Sequence, residues 1–239
     1  MIKLKIKKLF QRLLLLTTFI LFMMIIFQYI DNYITNKEIE SITVFKDKDI
    51  LNNKEYFDLL RYTYSNSEIV GELSILNTNI NNLVVQTDNN EYYLNHLVNN
   101  KVNVTGSLFV DYRSDIINGK KVIIYGHNSK RHNVPFKNLE KFLDKDFFNN
   151  NRYIYFKNEI ELNVYEIFSL KVVPTDYSEH VKMDFKSKTK WMEHLYSLKE
   201  NSLYSRNIEL NYDSKILILQ TCNYTEKDKT LLLIIAKKG

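Results

Sequence analysis

Hydrophobic and polar positions divide the chain into three stretches with different periods. Leu13 to Ile30 is a run of 18 uncharged, mostly apolar residues. At about 1.5 Å per helical residue it covers roughly 27 Å, close to a hydrocarbon core of about 30 Å. From residue 31 to about 66 the pattern is polar with helical spacing, and in "YFDLLRYTY" Phe57, Leu60 and Tyr64 share one face. This stretch reads as a stalk leading into one or two short helices. From Val70 onward the period shortens to that of strands, punctuated by Asn, Asp and Gly turns. "GELSIL", "NLVVQT", "SLFVDY", "KKVIIYGH", "RYIYFKN" and "IELNVYEIFSLKVV" read as strands, the last long enough for two. "DFKSKTKWMEHLYSLKEN" interrupts them with a helical pattern, Trp191, Leu195 and Leu198 on one face and Asp184 or Ser187 as cap. "SKILILQT" and "TLLLIIAK" complete the set. Many short strands with one inserted helix predict a mainly β closed barrel or sandwich. The expected organisation is a basic tail and membrane helix over 1–30, a stalk and helical segment over 31–66, and a β domain over 67–239.

Charge changes the picture at the N-terminus. Lys3, Lys5, Lys7, Lys8 and Arg12 precede the apolar run with no acidic residue among them, and Asp31 follows it. That asymmetry predicts a single-pass span with the N-terminus cytoplasmic and the rest of the chain extracellular. A cleaved signal peptide would want small residues after the apolar core. The only alanine of the chain is Ala236, and "QYIDNYITNKE" offers no comparable site, so the run is expected to stay as a signal-anchor. Without the five anchor charges, the net +5 becomes 28 basic against 28 acidic residues. The external part is formally neutral, which removes the case for a nucleic-acid surface. A chain with one cysteine has no internal disulfide.

That cysteine, Cys222, ends an apolar strand in "LILQTCNY". Free cysteine is most often a small buried hydrophobe. As a nucleophile it would need a base, and the usual base is a histidine distant in sequence. Of His96, His127, His132, His180 and His194, four lie in polar loops or on the expected helix, where solvation is the default. His127 instead ends the strand "KKVIIYGH" directly after Gly126, where the backbone can bend. A strand-end histidine and a strand-end cysteine from neighbouring strands would meet at one mouth of the fold.

"VIIYGHN" followed by "LILQTCNY" resembles the two sequence signatures of the sortases, the membrane-anchored cysteine transpeptidases of Gram-positive bacteria. "NNLVVQTDNNEYYLNHL", "VTGSLFVDYRSD" and the late inserted helix resemble class B in particular, over roughly Val70 to Lys238. The resemblance implies an eight-stranded barrel with N-terminal helices and one helix inserted between late strands. It implies Cys222 as nucleophile and His127 as proton donor and acceptor, with no metal or organic cofactor. The implied substrates are secreted proteins with a C-terminal sorting motif. The implied acceptor is an amine on a peptidoglycan precursor or a protein lysine. Thr221 matches the residue before the nucleophile and Asn128 the one after the histidine. Asn90 and Leu94 match positions lining the substrate groove, and Gln220 stands where class B members commonly carry serine.

One departure matters to the chemistry. Sortases carry an arginine on the last strand, typically eight residues after a class B cysteine, where it can hold substrate and stabilise an oxyanion. No arginine follows Cys222, and position 230 is threonine with Lys229 before it. Thr230 is expected to occupy the slot as a neutral donor, and Lys229 to need a one-residue slip to face the site. Arg113 and Arg131 are the other candidate cations. The resulting alternatives are a weakly active or inactive binding module, and a thiol peptidase that releases its product to water.

Overall fold

The computed structural model describes residues 2–41, 51–223 and 229–239. They fall into two compact units, Met1–Ser41 and Ile42–Gly239. The first is a single helix, α1, spanning Ile2–Ser41. Gln11–Thr35 within it is long and apolar enough to cross a membrane. Residues 42–50, part of the expected stalk, and 224–228, in the polar sequence after Cys222, lie outside the described residues.

The second unit opens with α2, Asn53–Tyr64. Asn52 caps it reciprocally: its side chain accepts from Glu55 N–H at 3.0 Å, while its own N–H donates to Glu55 Oε2 at 3.2 Å. The predicted face is the buried one, since Phe57 and Leu60 are fully buried beside Leu83, Val85 and Phe109. The helix therefore packs on the β domain.

Among the described residues nine strands follow: β1 (Ile69–Ser74), β2 (Asn81–Val85), β3 (Leu108–Val110), β4 (Lys121–Tyr125), β5 (Tyr153–Lys157), β6 (Leu162–Pro174), β7 (Tyr204–Ser205), β8 (Ile216–Asn223) and β9 (Thr230–Lys238). Their order is β5-β1-β2-β3-β4-β8-β9-β6, and pairing of β5 with β6 closes an eight-stranded barrel. The two-residue β7 adds to the edge of β6. The long segment that could have been two strands is one, with a register irregularity between Ile167 and Ser169. Between β4 and β5 lie a 3₁₀ run, Pro135–Leu143, and a short helix α3, Lys145–Asn150. The strand periods did not anticipate either. Phe136, Leu139 and Phe142 from the 3₁₀ run are buried in the barrel cluster.

Alternation sorts β8 and β9 into two faces. Leu217 and Leu219 of β8 join Leu232 and Ile234 of β9 in the barrel interior. Ile216, Ile218, Leu231, Leu233 and Ile235 face outward, under the inserted helix α4, Lys188–Lys199. Ser187 caps α4 by accepting from Lys190 N–H at 3.2 Å, so Asp184 is not the cap. Trp191, Leu195 and Leu198 are buried against that face, as the spacing predicts. At its C-terminal end, the buried Lys171 donates to the carbonyls of Ser197 and Glu200 at 3.0 and 2.6 Å, a cation against the negative end of the helix.

A buried polar chain fixes the middle of the same helix. Lys121 Nζ donates to Lys182 O at 2.7 Å and lies 2.9 Å from His194 Nε2, while His194 Nδ1 lies 2.9 Å from Glu179 Oε1. The carboxylate can only accept, so Nδ1 carries the ring proton and Nε2 takes the lysine N–H. Burial, then the neighbouring Lys121, holds the His194 imidazole down to about 4, and burial holds Lys121 down to about 7. As pH falls from about 6.5 towards 4, the unfolded chain takes up a proton at His194 that the folded chain refuses, so stability is lost across that window. Lys121 acts in the same sense between about 10.5 and 7. We expect the full chain in detergent to lose about 3 kcal/mol through His194 between pH 6.5 and 4. His194→Gln should flatten the melting temperature over that range, and an equally steep profile in the variant would assign the acid sensitivity to other groups.

Candidate active site

Strands β4 and β8 run parallel, with Tyr125 level with Gln220. Carrying that register two residues on brings His127 level with Cys222. Both side chains line one cleft of about 300 Å³, together with Asn90, Leu94, Phe109, Tyr125, Gln220 and Thr221.

The strand ends are stitched by polar contacts. Gly126 N–H donates to Gln220 O at 3.2 Å, and Thr221 Oγ1 donates to Gly126 O at 2.7 Å. A Cβ on Gly126 would sit 2.4 Å from Leu108 Cδ2 and 2.6 Å from Phe136 Cδ2, so no larger residue passes here without displacing the core. Asn128 Nδ2 donates to Cys222 O at 2.8 Å and to Glu140 Oε1 at 2.6 Å. His127 Nε2 lies 2.8 Å from Leu94 O. A carbonyl only accepts, so Nε2 carries a proton and Nδ1 is the nitrogen left to exchange one. Cys222 is partly exposed in this cleft, unlike a core cysteine.

The expected groove residues divide by what their polar atoms already do. Leu94 is exposed in the cleft and also supplies the carbonyl that orients His127. Asn90 lines the cleft, but its Nδ2 donates to Asp111 at 3.2 Å and its Oδ1 accepts from Tyr112 N–H at 3.0 Å. Thr221 spends its hydroxyl on Gly126, and the buried Asn128 spends its amide on Glu140 and Cys222. These two hold the cleft together. Gln220 reaches His180 Nε2 at 2.6 Å.

The cations are arranged differently from expectation. In the β8–β9 register Cys222 is level with Leu231, and Asn223 with Thr230. Level residues on antiparallel strands share a face, so Leu231 stands on the Cys222 side and Thr230 on the other. Thr230 Oγ1 also accepts from Asn223 Nδ2 at 3.1 Å. Leu231, not Thr230, is therefore the residue level with Cys222 on its face, and Lys229, which is exposed, has the parity of that face without any slip. Arg113 is engaged elsewhere, with Nε and Nη2 on the buried Asp111 at 2.8 and 2.7 Å. Burial pushes the Asp111 carboxyl up, but the Arg113 and Tyr125 hydrogen bonds outweigh it and hold it below the usual carboxylate range. Arg131 is exposed. Among the described residues no group of acidic, histidine or cysteine side chains forms a metal-binding cluster.

Sequence reasoning missed His180, Tyr125 and Glu140. His132, His180 and His194 are buried, contrary to the solvated state expected of loop and helix histidines.

The geometry has close counterparts among known proteins. Residues 73–238 match the sortase domain model. The sortase B of Listeria monocytogenes is 34% identical over 164 residues, a match spanning 68% of this chain and 65% of that protein's length. The crystal structure of sortase B from B. anthracis superposes with a TM-score of 0.76 at 30% identity, covering 88% of this chain and 98% of that one. A sortase B complexed with triglycine gives a TM-score of 0.71 at 26% identity, covering 80% and 89%. The chain belongs to the sortase family, alongside its sortase B members.

Proposed function

We propose that this chain is a cysteine transpeptidase that exchanges one amide for another on secreted proteins. The observation that carries the reading is one cleft holding the sole thiol and a histidine whose Nε2 is bonded to the Leu94 carbonyl. Cys222 attacks the scissile carbonyl as a thiolate, and a C–S bond forms. His127 Nδ1 gives its proton to the departing amine as the C–N bond breaks, leaving a thioester. An incoming amine then attacks the thioester, passes a proton to His127 and expels the thiolate. No electrons are lost or gained, so the cycle needs no redox partner.

The substrates are secreted proteins bearing a C-terminal sorting motif, and the acceptor is an amine on a peptidoglycan precursor or a protein lysine. In this reading the apolar helix anchors the enzyme with its N-terminus in the cytoplasm and the catalytic unit outside, an orientation that the basic residues before the helix support. Because a sortase B has been solved with triglycine, oligoglycine is the first acceptor to test. Incubation with candidate sorting-motif peptides and oligoglycine, read by mass spectrometry, should give a ligated product. Only the hydrolysed acid, across a panel of amines, would replace transfer with release to water. Leu231 on the Cys222 face favours a slow enzyme, since it presents no donor to the developing oxyanion.

A further inference from the structure

Gln220 precedes Cys222 by two residues on β8, so both project to one side of the strand, about 7 Å apart. Gln220 is one of the residues lining the cleft. The Oε1 atom meets His180 Nε2 at 2.6 Å, and among the described residues the amide nitrogen has no acceptor. His180 is 1% exposed and its ring stacks on Tyr177, with centroids 5.5 Å apart and planes 2° from parallel. Its Nδ1 is buried and has no partner among the described residues. Those facts fix the direction of the contact. If the amide were reversed, its nitrogen would donate to Nε2 and the ring proton would move to Nδ1, leaving a buried N–H without an acceptor. With the proton on Nε2, the ring donates to Oε1 and Nδ1 is only an unused lone pair.

We propose that His180 is a positioning residue that locks the Gln220 amide, so that its NH₂ faces the cleft as a specificity donor for an uncharged carbonyl of the peptide substrate. The selected carbonyl lies about 7 Å along the cleft from the scissile bond, the reach of two residues of extended chain. A free glutamine rotates its amide and offers either an acceptor or a donor. A pinned one offers donors only, and therefore discriminates against peptides that present a donor or a cation at that position.

This assignment rests on the transpeptidase reading for its substrate, and the test separates the two. In the full chain without peptide, ¹⁵N NMR should show the His180 ring as the Nε2–H tautomer, and a ring protonated at Nδ1 overturns the proposal whether or not the enzyme turns over. In kinetics, His180→Ala should raise KM about ten-fold for the preferred peptide with little change in kcat, and His180→Gln, which keeps a donor for Oε1, should recover most of it. Gln220→Ala should cost a similar factor, and adding His180→Ala to it should cost nothing more. Additive losses, or equal losses for peptides with and without that carbonyl, would reduce His180 to a packing residue and overturn the proposal. Failure of the wild-type chain to cleave any motif peptide counts against the transpeptidase reading, while the tautomer measurement still decides the His180–Gln220 contact.

Discussion

Cys222→Ala should lower cleavage of a sorting-motif peptide by roughly 10⁴-fold or more, with the melting temperature nearly unchanged. The size follows from removing the atom that bonds to substrate, since losing one member of a nucleophile–base unit costs about as much as losing the unit. The stability should hold because Cys222 is only partly buried and its backbone carbonyl, which Asn128 holds, survives the change. A thiol-alkylating reagent should modify one site per chain, as there is one cysteine, and should abolish cleavage in parallel. His127→Ala should approach the same loss. An alanine variant at 222 that still cleaved peptide would eliminate the nucleophile assignment.

The second large effect is a gain. Leu231→Arg should raise turnover by ten-fold or more, whereas Thr230→Arg should raise nothing and should destabilise the chain. Leu231 is level with Cys222 and buried in the outer apolar layer, so an arginine there would keep its stem on that layer and carry its head past the edge towards the thiol. A guanidinium there would offer the developing oxyanion charged, forked donors where leucine offers none. Each factor of ten is about 1.4 kcal/mol of barrier, within the range of one oxyanion contact. Thr230 lies on the opposite face with its hydroxyl on Asn223, so arginine there would break that bond and press a charge towards the buried side. Lys229→Ala tests whether the natural enzyme draws on the adjacent ammonium, and should cost several-fold at most. A gain from Thr230→Arg with none from Leu231→Arg would mean that the strand pairs one residue out of the register described.

Where sequence and structure agree, the information was periodic or local. The β8 and β9 runs could be read because alternate residues of each meet two separate apolar layers. The position of His127 at a strand end could be read because the apolar run of β4 stops at the glycine before it. What could not be read was relational. The facing of Thr230 depends on which residue of β9 lies opposite Cys222, a register that the polar connection between them does not encode. His180 and His194 occupy polar sequence, but α4 and the turn before it fold onto the outer face of the barrel and bury them. The 3₁₀ run from Pro135 buries Phe136, Leu139 and Phe142 on one helical face, but over nine residues, shorter than the windows from which helices are read.

The parallel pairing of β4 with β8 has a kinetic consequence. His127 and Cys222 stand 95 positions apart in the chain, and they become neighbours only when β8 docks beside β4. Contacts of such large sequence separation must meet their loop-closure entropy before they return any energy, which slows their formation. The thiol therefore gains its proton partner only with the long-range assembly of the barrel. A nascent chain emerging in order from its N-terminus carries His127 without its thiol partner until the segment bearing Cys222 arrives. Chemistry that needs both groups is thereby withheld from chains in which β8 has not docked beside β4.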